Sequence, residues 1–220
     1  VEIKILGISG SPVKKGNVEF FLAKLMESVS AEPGVKVETI SLAELDVQDC
    51  RQCNFCWRKQ TEKKYCAIND DAQAVFEKVE QADILVLASP VYFHRTSARM
   101  AALIDRLRNF MFGNLTKGRL KNKIGVSAAV AYVRHGGVES THWSHILAFL
   151  TLEMIPVSSH DSTSLLGASA VSSPLGSGRF DSSVRIAVEQ DEVGLQSIRP
   201  IMERAIELAA IIKKGTGGNF

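Results

Sequence analysis

Hydrophobic and polar residues follow two periods along this chain, and the switches between them mark its elements. Glu2–Ile8 (EIKILGI) reads as a short buried strand, and Ser9-Gly10-Ser11-Pro12 follows as a turn cluster. Val18–Val29 places Val18, Phe21, Leu22, Leu25, Met26 and Val29 at helical spacing, with Asn17 where an N-cap belongs. Glu32-Pro33-Gly34 closes that unit, and Val35–Leu42 alternates as a second strand. An irregular stretch with four cysteines comes next. Asp70–Gln81 then predicts a helix with Ala74, Val75 and Val79 inward, and Asp83–Ala88 is a run of buried-strand type. Ser97–Met111 predicts a helix with Met100, Leu103, Ile104 and Leu107 on one side. Lys123–Val130 reads as a strand, Glu139–Glu153 as a helix and Met154–Ser158 as a short fifth strand. Glu192–Lys213 predicts a longer closing helix, with Pro200 as an interruption.

Strands alternating with helices imply βαβ units and a parallel sheet covered on both faces. Five such strands suggest an α/β fold, a three-layer α/β/α sandwich spanning residues 1–220 as one domain. It would carry a cysteine-rich insertion at 47–69, an extended loop at 158–190 and a C-terminal helix at 191–214. Ligands in such folds sit beyond the carboxyl ends of the strands, which directs attention to residues 9–17, 89–96 and 131–138. Ser158–Ser183, rich in Ser and Gly, is too long for a routine connection; it reads equally as a flexible linker or as a subunit-contact or active-site loop.

The 220 residues are 45% hydrophobic and 23% charged, with a net charge of +2 and a mean hydropathy of +0.05. These are ordinary globular values and give no case for nucleic-acid or membrane-surface binding. No apolar run approaches the ~18 residues of a membrane span, and Val1–Ile8 does not read as a signal peptide. A cytoplasmic protein is the expectation. The cysteines change that picture. All four lie between positions 50 and 66, beside Arg51, Arg58, Lys59, Lys63 and Lys64 and against the single Glu62. That local excess of positive charge is larger than the net charge of the whole chain.

The first loop looks built for an anion. Gly and Ser let the backbone turn sharply at a helix N-terminus, so amide N–H groups converge there. Hydroxyls of Ser9 and Ser11 and the amide of Asn17 would add donors. Pro12, Val13, Gly16 and Val18 complete the candidate set. Neither a Walker A loop nor G-x-G-x-x-G is present. A phosphate monoester held without an obligatory lysine suits flavin mononucleotide, although a plain βα turn would use the same residues. Pro90, Val91, Tyr92 and Phe93 after the third strand suit the rim of a flat conjugated ring, or else pack beneath the next helix. Ala131, Tyr132, Gly136 and Gly137 after the fourth strand are the remaining candidates, with the glycines allowing close backbone approach.

The cysteine order is Cys50-x2-Cys53-x2-Cys56-x9-Cys66. Three cysteines at intervals of three let one loop wrap an iron–sulfur cube, with a fourth ligand from further along. Phe55 and Trp57 could shield such a cluster. Zinc, disulfides and metal-free redox thiols are the other readings. His142 and His145 read as a solvated or capped helical face, His160-Asp161 as a weak pair and His94 as a possible flavin or substrate contact. No Gly-x-Ser-x-Gly element is present. Lys213-Lys214 and the Gly-rich tail read as a frayed terminus.

On these residues the chain resembles the flavodoxin-like NADPH-dependent FMN reductase superfamily, specifically its iron–sulfur flavoprotein branch. The matching residues are Gly7-Ile8-Ser9-Gly10-Ser11-Pro12 with Gly16-Asn17, Ser89-Pro90-Val91-Tyr92-Phe93, Ile104-Asp105-Arg106, Gly136-Gly137 with Glu139 and Thr141, and the cysteines followed by Asp70-Asp71. The resemblance covers residues 3 to about 160 well and the last 60 weakly. It implies FMN, a [4Fe–4S] cluster on Cys50, Cys53, Cys56 and Cys66, flavin chemistry without an obligatory catalytic side chain, and a homodimer or homotetramer. A ferredoxin-like electron donor or NAD(P)H would be the redox partner. The branch usually has a last cysteine gap shorter than nine residues, so Cys66 departs from its pattern. An NAD(P)H-dependent FMN or quinone reductase without a cluster, and a non-enzymatic carrier or thiol sensor, are the rival readings.

Overall fold

Three strands of uninterrupted apolar or small residues form the centre of the molecule. In the computed structural model, which describes residues 1–216, these are β1 (Ile3–Ser9), β3 (Ile84–Pro90) and β4 (Ile124–Ala131), with β2 (Val35–Ser41) outside β1. All pair in parallel, in register Ile5↔Val37, Ile5↔Ile84 and Ile84↔Ile124. β2 is the edge, and its Lys36 and Glu38 face solvent, which discourages pairing with another chain.

The fifth place in the sheet is divided. β5 is only Ile155–Pro156, paired near the start of β4, and β6 (Ala168–Val171) pairs with the end of β4, at Ala128 to Ala131. The expected fifth strand at Met154–Ser158 is therefore mostly not a strand. Part of the Ser-rich stretch completes the sheet instead, which corrects the linker reading there: small residues at 168–171 fit the narrow space beside β4.

Side chains alternate across the sheet with period two. Ile5, Val86 and Val126 face α1 (Asn17–Glu27) and α8 (Ile198–Gly215), where Phe21, Leu25, Ile201, Met202 and Ala205 are buried. Full burial of one such side chain as Phe21 contributes about 1.5–3 kcal/mol. Leu6, Ile8, Leu85 and Leu87 face the other layer, which holds α3 (Ala72–Gln81), α4 (Ala98–Arg106), α5 (Arg108–Phe112) and α6 (Val138–Thr151). Two short helices remain: α2 (Phe55–Arg58) in the cysteine segment, and α7 (Glu192–Gln196), whose Leu195 packs on the α1/α8 side.

Several expectations are corrected in detail. α1 is capped by Gly16, and Asn17 is its first residue. In α3 it is Phe76 that is buried and Ala74 that is exposed, because the inward face is Ala72, Val75, Phe76 and Val79. The helix expected over Ser97–Met111 breaks at Leu107 into α4 and α5. Pro200 sits in the first turn of α8, where a missing N–H costs little, so it does not interrupt that helix. Lys213 is not frayed: its Nζ donates to the Glu2 carbonyl (2.8 Å) and to Asp83 Oδ2 (2.5 Å). The Gly-rich tail from Gly217 lies outside the described residues.

With strand order β2-β1-β3-β4-β5, the direction of winding reverses between β1 and β3. The crevice beyond their carboxyl ends is where such folds bind ligands.

Candidate functional site

The loop leaving β1 is folded by its own hydroxyls. Ser9 Oγ accepts from the Ser11 amide (3.3 Å), and Ser11 Oγ accepts from the Val13 amide (3.1 Å). Ser97 Oγ holds the Gly10 carbonyl at 2.6 Å. A side chain at Gly10 would lie 2.6 Å from Met100 Cβ, so only glycine fits there. Lys15 has φ +50, and its amide donates to Glu19 Oε2 at 2.6 Å, which turns the chain into α1. Asn17 Oδ1 accepts from the Val188 amide at 3.0 Å. That fixes the side chain and leaves Nδ2 as its donor end.

The other two loops meet over this one. Val91 N donates to Val130 O, and Tyr92 and Arg95 exchange backbone hydrogen bonds. Phe93 and His94 both have positive φ, and Phe93 projects into solvent, 97% exposed, with Tyr92 44% exposed. The reading in which both pack beneath the next helix is thereby corrected. Gly137 has φ +103, and a Cβ there would meet His94 Cα at 2.4 Å. The close approach it permits is between two loops, and Ser140 Oγ donating to the His94 carbonyl (2.5 Å) fastens them.

Together the loops enclose a cavity of about 330 Å³, within the range of small-molecule sites. Of the sequence candidates, Ser11, Val13, Gly16, Asn17, Val18, Pro90, Val91, Tyr92 and Tyr132 line it. Ser9, Pro12, Phe93, Ala131, Gly136 and Gly137 do not. Sequence reasoning missed Lys14, Lys15, Val130, Ser172 and Arg185. The last two come from the extended loop at 158–190, whose excess length was the only hint. Three cations, a helix N-terminus and hydroxyls at one end, with aromatic and apolar walls at the other, fit a phosphate-bearing flavin.

The cysteine segment is strapped rather than loose. Asp46 N donates to Asp71 Oδ2 (2.8 Å), and Gln48 N to Asp70 Oδ2 (2.9 Å). Within the nine-residue gap, Gln60 is buried and plugs the segment onto residues 109–116: its amide donates to Asn114 Oδ1 (2.9 Å), and its Oε1 accepts from Leu115 N (3.1 Å). The long gap therefore returns Cys66 to the other three cysteines. All four line one small cavity with Arg51, Arg106 and Arg108, and no disulfide joins them. Cys56 is buried, Cys50 and Cys66 half-buried and Cys53 exposed. Burial pushes the Cys56 thiol up, opposed by Arg108 and reinforced by Cys66 and Cys50. Trp57 is 57% exposed, so it does not shield the cavity as expected.

Arg106 pairs with Asp70 through Nη1, both side chains fully buried. Burial works against the Asp70 carboxylate, but the Arg106 hydrogen bond and the Gln48 amide outweigh it and hold its pKa low. Arg106 Nε and Nη2 and Asn109 Oδ1 have no hydrogen-bond partner among the described residues. Unpaired buried donors beside four thiols fit an anionic, sulfur-rich group. The donor set is not a ready single-ion site: among the described residues no three His, Cys, Asp or Glu side chains gather as ligands of one metal.

His142 and His145 overturn the solvated-face expectation. Both are fully buried, because α6 lies on the sheet face that carries Ser127. Ser127 Oγ bridges His142 Nδ1 (2.7 Å) and His145 Nδ1 (2.8 Å). Thr96 Oγ1 pairs with His145 Nε2 (3.0 Å), and Ser169 Oγ with His142 Nε2 (2.7 Å). Burial lowers their pKa values to about 4 and about 3, with the neighbouring His142 lowering His145 further. Both imidazoles are neutral near pH 7. His160 and Asp161 form an exposed pair at 3.5 Å.

Residues 3–164 match the family model of NADPH-dependent FMN reductase. An iron–sulfur flavoprotein of Methanocaldococcus jannaschii is 34% identical over 96% of this chain and 100% of its own length. Among solved structures, RosB with a bound 8-demethyl-8-formylriboflavin-5'-phosphate superposes with a TM-score of 0.73 at 16% identity, covering 96% of this chain and 81% of its own. An NAD(P)H:quinone oxidoreductase from Methanothermobacter marburgensis gives 0.60 at 15% identity, covering 94% and 98%. The fold is thus flavodoxin-like, as the strand order implies. Among the described residues no helix is long and apolar enough to cross a membrane. With the crevice, the cysteines and the full-length relatives in agreement, the chain belongs to the iron–sulfur flavoprotein branch of the NADPH-dependent FMN reductase family and is a flavin-dependent oxidoreductase.

Proposed function

We propose that this oxidoreductase relays electrons between a one-electron partner of ferredoxin type and a two-electron acceptor. FMN bound at the β1/β3 crevice supplies one- and two-electron chemistry, and a [4Fe–4S] cluster on Cys50, Cys53, Cys56 and Cys66 supplies single-electron transfer. The observation that carries this reading is the cavity in which all four cysteines meet the buried Arg106, whose Nε and Nη2 find no partner by hydrogen-bond geometry among the described residues. Around the crevice, Ser11, Asn17 and the first turn of α1 hold the phosphate, Lys14, Lys15 and Arg185 neutralise it, and Val91 and Tyr92 orient the ring. Tyr132 limits water access from the far side. The exposed apolar side chains of Met111, Phe112, Leu147 and Leu150 on α5 and α6 support a homodimer or homotetramer. Free thiols support a reducing, cytoplasmic setting.

Anaerobic purification with iron, acid-labile sulfide and flavin analysis tests the reading. About four iron and four sulfide per chain are expected. Cys53→Ser should lose the iron and keep FMN. Absence of iron after anaerobic reconstitution overturns the cluster. In that case the second reading stands, an NAD(P)H-dependent FMN or quinone reductase, read out as pyridine-nucleotide turnover by iron-free protein.

A further inference from the structure

Arg106 keeps donor capacity to spare beside the cysteines. Its Nη1 is committed to Asp70 and to the Gln48 carbonyl (3.2 Å), and the guanidinium lies over the Phe76 ring, 5.4 Å from its centroid. Those contacts fix the plane of the fork. Nε and Nη2 remain, both buried, both without a partner by hydrogen-bond geometry among the described residues, in a side chain that lines the cavity of the four cysteines. Burial works against the charged guanidinium, but Asp70 outweighs it and the Cys66 sulfur favours it further, both by its charge and as a weak hydrogen-bond acceptor, so sulfur is already the partner on this side of the fork. Arg108, the first residue of α5, adds a second guanidinium, with Nη1 4.0 Å from Cys50 Sγ and Nη2 3.2 Å from Asn54 Oδ1.

Buried donors in native proteins find partners, and a charged one left unpaired is costly. A planar fork locked on one edge presents its remaining N–H groups in a fixed direction, which a lysine could not reproduce. Each electron added to a cluster adds one negative charge. Donors and positive charge beside its sulfur atoms therefore stabilise the reduced form more than the oxidised form and raise the potential.

We propose that Arg106 donates Nε–H and Nη2–H to sulfur atoms of the cluster held by Cys50, Cys53, Cys56 and Cys66, and that the Arg106–Asp70 pair sets the cluster's reduction potential. This rests on the cluster reading above. Arg106 contributes the donors and the positive charge. Asp70 fixes the fork and partly offsets that charge, so the two residues move the potential in opposite directions.

The test is a mediated reductive titration of the anaerobically reconstituted protein, followed by visible absorbance and electron paramagnetic resonance, with iron and FMN counted in every sample. Arg106→Lys keeps a cation for Asp70 but loses the fork. It should retain iron and show a tenfold weaker preference for the reduced cluster, a midpoint about 59 mV lower for one electron. Asp70→Asn should shift the midpoint upward. Full iron with both midpoints at the wild-type value overturns the proposal. So does a variant that loses iron while the remaining cluster titrates as wild type, the outcome of a merely structural role. If Arg106→Lys fails to fold, seen as lost FMN, the sign of the Asp70→Asn shift decides. Wild-type protein without iron overturns the cluster reading itself, and that result is distinct from normal iron with unshifted variants.

Discussion

The flavin crevice and the cysteine cavity are built in opposite ways. The crevice is made of loops at the ends of buried strands, shaped by hydroxyls and backbone amides, with its cations, Lys14, Lys15 and Arg185, out in solvent. The cavity is made by a segment with little regular structure, strapped down at Asp70, Asp71 and Gln60 and floored by a buried ion pair. The first draws its rigidity from the sheet and the second from side chains. It follows that the crevice should keep its shape when one side chain is lost, whereas the cavity should not.

The sharpest way to break the comparison is Arg106→Leu. It leaves the Asp70 carboxylate buried without its partner, a change that costs about 3–5 kcal/mol. Urea unfolding of cofactor-free protein should show that loss, together with failure to take up iron. Ser11→Ala removes a donor expected at the flavin phosphate. A lost hydrogen bond to a charged group costs about 1.5–3 kcal/mol, so FMN affinity measured by fluorescence quenching should fall roughly tenfold to a hundredfold. Iron content should not change, because Ser11 is remote from the cysteine straps in the hydrogen-bond pattern.

Acid separates the two regions by a smaller amount. The folded-state pKa values of His142 and His145, about 4 and about 3, lie below the ordinary value of 6.5, so the unfolded chain binds more protons between these limits. Their contribution is complete above pH 6.5 and is lost as pH falls through the folded values; one imidazole with a folded pKa near 4 accounts for about 2 kcal/mol by pH 5. Asp70 also has a lowered pKa, but its contribution is lost only below the ordinary carboxylate value of 3.8. Stability measured from pH 8 to pH 5 should therefore fall in the wild type and fall less in His142→Asn. Gly137→Ala should cost about 1–3 kcal/mol from positive φ alone, plus a displaced His94 loop. It should weaken FMN binding and leave the iron untouched.

What could be read in advance follows from the same contrast. The crevice was legible because βα alternation places loops at strand ends whatever the side chains do, and nine residues chosen from three loops do line one cavity. Its missing members, Ser172 and Arg185, arrive from a segment with no periodicity to read. The cysteine spacing announced the cavity, yet nothing local to residues 50–66 pointed to Arg106, which comes from a helix whose apolar face implied only packing. His142 and His145 look like surface residues in a helical register. Their burial depends on Ser127, an inward-facing hydroxyl in an otherwise apolar strand, and such a pairing across 15 and 18 residues has no sequence signature. Phe76 was passed over for Ala74 because three inward positions satisfied the helical spacing.

The position of α8 has a consequence for the order of folding. It supplies Ile198, Ile201, Met202, Ala205 and Ala209 to the sheet face it shares with α1, and Lys213 joins it to Glu2, 211 positions earlier. A growing chain that has reached residue 190 can pair β1 to β4 and lay α1 on that face, but the part that α8 covers is still open to water. Contacts of such long sequence separation form late and slowly. Until α8 docks, the half-made sheet is the species at greatest risk of aggregation.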